Sequence, residues 1–181
     1  ANGSIAGSFI SPSIVVEFRD FNDTLVTDAV ASVTLSIYSG TGTAGASLLG
    51  TSRVAATSGL STFDALAVNK AGSDYRLVAT SGTLTTALSY PFSVAPGAAA
   101  GLSFVVQPAG AVTGQAFLTQ PQVAIIDSNG NTVTSSTAEV TLSGLNSNSS
   151  SVSVSGTLSV TAVSGVATFA NLTITSQVTS M

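Results

Sequence analysis

Two stretches of this chain repeat without a gap, and that duplication limits the folds open to it. Residues 20–36 (DFNDTLVTDAVASVTLS) align with residues 127–143 (DSNGNTVTSSTAEVTLS), which places Asp20 on Asp127, Asn22 on Asn129, and Val33 through Ser36 on Val140 through Ser143. Residues 54–68 (VAATSGLSTFDALAV) align with 160–174 (VTAVSGVATFANLTI), so Gly59 meets Gly165, Phe63 meets Phe169 and Leu66 meets Leu172. The spacing of about 107 residues is that of a whole domain. The 181 residues therefore read as two copies of one unit, 1–97 and 98–181, meeting at Ala95-Pro-Gly-Ala-Ala-Ala-Gly101. That joint is short, so adjacent copies are expected to be coupled rather than freely jointed.

Each unit reads as β-structure. Leu88, Tyr90, Phe92 and Val94 alternate with Ala87, Ser89, Pro91 and Ser93, and Leu102, Phe104 and Val106 alternate with Ser103 and Val105. Such a period of two marks half-buried strands, and Val and Thr suit a pleated surface. No sustained helical period occurs. Asp127-Ser-Asn-Gly-Asn131 is the strongest turn signal, because Asn-Gly accepts positive φ in a tight hairpin. Ser58-Gly59 and Ser164-Gly165 mark equivalent turns. Pro91 lacks a donor N–H, which predicts an edge position for its strand.

Overlaying the copies predicts seven strands: 101–107; 13–19 and 121–127; 30–38 and 137–143; 51–56 and 157–163; 60–68 and 166–174; 74–80; and 86–94. Seven short strands predict tandem antiparallel immunoglobulin-like β-sandwiches. Both copies are expected to be incomplete at the chain ends. The first begins after the place of its first strand, and the second stops before its last two. Either the chain is a window on a longer one, or neighbouring subunits supply strands by strand addition.

Composition narrows the function classes. Charged residues are 7 % of the chain and apolar residues 44 %, with a net charge of −4. The polar surface must come mainly from Ser, Thr, Asn and Gly. Four cations, Arg19, Arg53, Lys70 and Arg76, form no basic footprint for nucleic acid. There is no cysteine, so neither a disulfide framework nor a thiolate metal site is available. No run reaches the ~18 apolar residues of a membrane helix. Histidine, the commonest general acid–base, is absent. No catalytic residue and no cofactor is assigned.

Asp20, Asp23 and Asp28 lie close together and offer hard oxygen ligands of the kind calcium takes. A solvated turn with aspartates capping backbone N–H groups is the simpler reading, since Asp23 and Asp28 overlay on Gly130 and Ser135. Lys70 is a candidate for an isopeptide bond or, more simply, a solvated loop lysine. Tyr75 reads as a tyrosine corner whose hydroxyl bonds nearby backbone, and Phe63 and Phe169 as core. Of four Asn-x-Ser/Thr sequons, Asn148 stands in the most loop-like stretch, 145–153, and is the candidate glycosylation site.

The strings GLSFVVQP (101–108), VAIIDSNGNTVT (123–134) and SGVATFANLTI (164–174) resemble the bacterial Ig-like repeats of large surface, adhesin and surface-layer proteins. The run AGSDYRLVAT (71–80) looks like that family's Gly-x-x-Tyr strand. The resemblance implies an extracellular or cell-surface location and a structural repeat of a surface layer, sheath or filament. Its partners would be copies of itself or neighbouring repeats. A spacer stalk of an adhesin and a carbohydrate-binding accessory module are the alternatives, the latter weakened by the absence of tryptophan.

Overall fold

The computed structural model describes residues 4–145 and 151–177. The chain divides into two compact units, Ala1–Gly97 and Ala98–Met181. Among the described residues every regular element is a β-strand, and all but one of the pairings between strands are antiparallel. The architecture is all-β and compatible with a β-sandwich.

The first unit holds β1 (Ser4–Ile5), β2 (Ile14–Glu17), β3 (Ser32–Ile37), β4 (Leu48–Gly50), β5 (Arg53–Ala55), β6 (Leu60–Phe63), β7 (Leu66–Val68), β8 (Gly72–Tyr75), β9 (Leu77–Thr80), β10 (Ala87–Leu88) and β11 (Phe92–Ala95). Its ladders run β1-β11-β8, β10-β9-β3-β5, β2-β6 and β4-β7. In β3 the alternation decides the faces: Val33 and Leu35 are buried, while Thr34 and Ser36 point away from them. One core cluster takes Phe63 from β6 and Phe18 just beyond β2, and meets Leu35 of β3 and Leu77 and Ala79 of β9. Strands from separate ladders thus share one apolar layer, the condition for two sheets to pack face to face.

The second unit holds β12 (Gly101–Val106), β13 (Gln122–Ile126), β14 (Glu139–Thr141), β15 (Gly144–Leu145), β16 (Ser151–Ser155), β17 (Ser159–Thr161), β18 (Val166–Thr168) and β19 (Thr173–Gln177). The ladders are β12-β13-β18, β14-β17 and β15-β16-β19.

The duplication seen in the residues recurs in the hydrogen bonds. Val15 pairs with Thr62, and Gln122 with Thr168. The N–H of Phe18 donates to the Gly59 carbonyl at 2.9 Å, and that of Ile125 to the Gly165 carbonyl at 2.8 Å. Val33, Ala56, Phe63 and Leu66 are buried in the first core, and Val140, Ala162, Phe169 and Leu172 in the second. Gly59 and Gly165 have φ of +80° and +77°. A Cβ on either would strike a backbone carbonyl, that of Val26 or of Val133. These two turns therefore require glycine for both conformation and space.

Several strands differ from those expected. Ser4–Ile5 forms a strand where none was expected, paired in parallel with β11. It does not occupy the position of β12, which pairs antiparallel with β13. The predicted strand over 86–94 is two pieces, β10 on β9 and β11 on β8. Pro91 falls in the break, so its missing N–H costs no ladder bond. Its strand is not an edge, because β11 is flanked by β1 and β8. The stretch 145–153, read as loop-like, enters strand β16 at Ser151. At the Asp127 turn only Gly130 has positive φ, +77°. Asn129 does not share it, so the hairpin is not the two-residue form that Asn-Gly suggested.

Tyr75 is fully buried, its hydroxyl donates to the Lys70 carbonyl at 2.9 Å, and its ring lies 5.7 Å from that of Phe92. The bond ties Tyr75, the last residue of β8, to the turn before that strand. Tyr75→Phe leaves that carbonyl without its donor and is expected to cost about 1–2 kcal/mol in urea unfolding. Phe63→Ala and Phe169→Ala, which empty equivalent core positions, are each expected to cost about 3–5 kcal/mol by the same measurement.

Candidate functional site

The functional feature that emerges is a strand edge beside an apolar groove. In the second unit β13 lies between β12 and β18, and Val123, Ala124 and Ile125 are all buried. Its counterpart in the first unit, β2, pairs only with β6 among the described residues. On β2 the burial alternates, and Val15 is 49 % exposed. Because the Phe18 N–H points to Gly59 on the β6 side, alternation along an antiparallel ladder sends the N–H groups of Val15 and Glu17 to the opposite edge.

That edge borders a groove of about 540 Å³ lined by Val16 of β2, Leu77 of β9, Leu88 of β10 and Phe92 of β11, among others. Glu17 and Arg19 stand at its rim. Arg19 Nε donates to Glu17 Oε2 at 2.8 Å, and its Nη1 to the Asp23 carbonyl at 2.6 Å. The bond to Glu17 and its negative charge raise the guanidinium pKa above its ordinary value. Both side chains are substantially exposed, so the pair is worth little to stability. Charged residues on a strand edge do, however, discourage random pairing.

Of the carboxylates singled out from sequence, that of Asp20 serves a turn and that of Asp23 lies 3.5 Å from Arg19 Nη1. Asp20 Oδ1 accepts the N–H groups of Asn22 and Thr24, both at 2.9 Å. Asp23 takes φ of +62°, the position that Gly130 fills in the second unit. Asp20, Asp23 and Asp28 are not brought together as ligands. Among the described residues no group of three His, Cys, Asp or Glu side chains is placed to hold a metal ion. Asp127 repeats the Asp20 arrangement in buried form. Its Oδ1 accepts from the Asn129 and Asn131 N–H groups at 2.9 and 2.8 Å, and its Oδ2 from Asn131 Nδ2 at 2.9 Å. A carboxylate so surrounded by donors organises the hairpin.

Asn148 lies outside the described residues. The Lys70 carbonyl is committed to Tyr75. Large apolar side chains stand in solvent on both units, Phe21, Tyr90, Leu118 and Val30 the most exposed among the described residues.

No family model matches the chain, and no curated protein or solved structure matches it.

Reading for catalytic and metal residues passed over the β2 edge. A signal for it was present. Val15-Val16-Glu17-Phe18-Arg19 overlays on Gln122-Val123-Ala124-Ile125-Ile126. The positions that are Ala124 and Ile126 in a covered strand are a carboxylate and a guanidinium in the uncovered one.

The two aspartate turns differ in burial, and the difference is measurable. Asp127→Ala is expected to destabilise by about 2–3 kcal/mol, because buried N–H groups lose a charged acceptor. Asp20→Ala, on an exposed turn, is expected to cost under about 1 kcal/mol in the same urea titration.

Proposed function

We propose that this chain is a structural module: tandem Ig-like β-sandwich repeats of an extracellular, cell-surface assembly such as a surface layer, sheath or filament, without catalysis. One observation carries the reading. Among the described residues one edge of β2 has no strand partner and lies beside an apolar groove, on a chain of very low charge. Edges and apolar patches are the parts by which β-modules join one another. A surface built from hydroxyls and amides adds little Coulomb repulsion to close packing. The second unit supports this further, since Asp127 is buried and Glu139 is its only other acidic residue. Its strand β12 also presents Leu102 and Phe104 at 58 % and 44 % exposure. The absence of histidine and the commitment of the Asp20 and Asp127 carboxylates to turns favour a non-enzymatic role.

The Glu17–Arg19 pair favours a second reading, a spacer stalk of an adhesin. Charges on an edge strand keep a module monomeric. Negative-stain imaging and sedimentation of the purified chain separate the two. Ordered filaments or lattices are the expected outcome for an assembly repeat, and a monomeric rod at every concentration would assign the stalk.

A further inference from the structure

We infer that the outer face of the sheet β10-β9-β3-β5 binds a carboxylate-bearing polysaccharide, a glycan of uronic acid residues, at the row formed by Tyr38, Arg76 and Tyr90.

The register assembles this row. Ser36 pairs with Val78 and Ile37 with Leu77. The Tyr38 N–H then donates to the Arg76 carbonyl at 2.8 Å and carries the pairing one row on. On the other side of β9, Leu88 pairs with Val78, and the Ser89 N–H donates to the Leu77 carbonyl at 2.9 Å. The next row sets Tyr90 beside Arg76. Leu35 and Leu77 are buried on the inner face, so the pleat turns Tyr38 and Arg76 outward. Side chains opposed in a ladder share a face, which brings Tyr90 to the same side. Tyr38 is 45 % exposed and Tyr90 92 %.

Arg76 is the group whose surroundings point to a ligand. Among the described residues its half-buried guanidinium makes one long contact, Nη1 to the Ser89 carbonyl at 3.5 Å. No carboxylate pairs with it there, since both ion pairs belong to Arg19, and Asp74, two residues before it, forms none. Its backbone is nonetheless held. The Arg76 N–H donates to Thr41 Oγ1 at 3.3 Å, and the Leu77 N–H to Ser89 Oγ at 2.8 Å. A fixed backbone under an unpaired guanidinium is pre-organised for an anion, and the planar fork takes a carboxylate through two parallel bonds. The outward positions of the paired strands hold no acid, while Arg53, opposite Thr34, adds a second cation. On a chain of net charge −4, this face is the one that attracts negative charge.

The rest of the face favours a glycan over a peptide. β9 already has strands along both edges, so it offers none of the main-chain bonds that hold an extended peptide. It offers rings and hydroxyls. A pyranose lays its weakly positive C–H groups on the negative face of a tyrosine ring, and its hydroxyls meet those of Ser36 and Thr34. Tyr38 and Tyr90 flank β9 on strands two spacings apart, ~9–10 Å, the length of a disaccharide, with Arg76 between them for the carboxylate. Tyrosine here supplies the flat rings that tryptophan would.

A monomer can carry this site, so glycan binding does not depend on assembly. The test is calorimetric titration of the intact chain with a galacturonate tetrasaccharide, with its carboxyl-reduced neutral form, and with a tetra-aspartate peptide. Saturable binding with a Kd below about 1 mM is expected for the galacturonate alone. Arg76→Ala is expected to weaken it at least tenfold. Arg76→Lys keeps the charge but loses the fork, and is expected to restore only part of the affinity. Tyr90→Ala is expected to weaken binding at least fivefold and Tyr90→Phe to leave it close to the parent. The exposure of Tyr90 keeps this pair informative even if Arg76→Ala fails to fold. Arg19→Ala, on the other sheet, should change nothing. No binding of galacturonate would overturn the inference. So would equal binding of the neutral sugar or of tetra-aspartate, or affinity that falls with Arg19→Ala as much as with Arg76→Ala.

Discussion

A strand must find partners for its backbone along both edges, and it must cover one apolar face. In this molecule those two demands are met in different places. β13 meets both, with β12 and β18 at its edges and Val123 and Ile125 in the core. β2 meets only half of the first, with β6 on one side and an open groove on the other. The N–H groups of Val15 and Glu17 point to that side, where the apolar surface of the groove lies beside them. The features that suggest an assembly role for the protein cluster around that imbalance.

The cores explain why the units tolerate it. Phe63, the last residue of β6, and Phe169, just beyond β18, lie in their apolar clusters with Val33, Ala56 and Leu66 in one unit and Val140, Ala162 and Leu172 in the other. Turns fix the register of these strands. Gly59 and Gly165 bring the hairpin backbone against the carbonyls of Val26 and Val133, and Asp20 and Asp127 gather N–H groups after β2 and β13. Local turn chemistry and burial agree in each unit, which is what a well-specified fold requires.

Much of this was legible beforehand, and particular residues show why. The burial of Phe63, Phe169 and Tyr75 follows from period-two patterning and from their place in the repeat. The β12, β13, β3, β6 and β18 strands fall within the stretches where alternation put them, and in β3 and β6 burial follows the pleat, with Val33 and Leu35 buried in one and Ser61 and Phe63 in the other. The two-residue strands β1 and β10 carry too few residues for any period. The strand expected near 51–56 is β5, and β4, Leu48–Gly50, was not expected. The two pair with different partners, β4 with β7 and β5 with β3, and a switch between ladders leaves no trace in polarity. The aspartates looked like ligands because carboxylates close in sequence suit calcium, yet backbone donors within the same turns claim Asp20.

By itself the sequence determined the β character of the chain, its duplication, the glycine turns and the residues of each core, since all of these depend on side-chain size and polarity taken in order along the polypeptide. Only the tertiary structure decided which strand edges are paired and which are open. Pairing is a property of neighbours distant in the chain, and the backbone groups that form it are the same at every residue. The groove beside β2 exists because β9, β10 and β11 arrive opposite it while no described strand lies along its free edge.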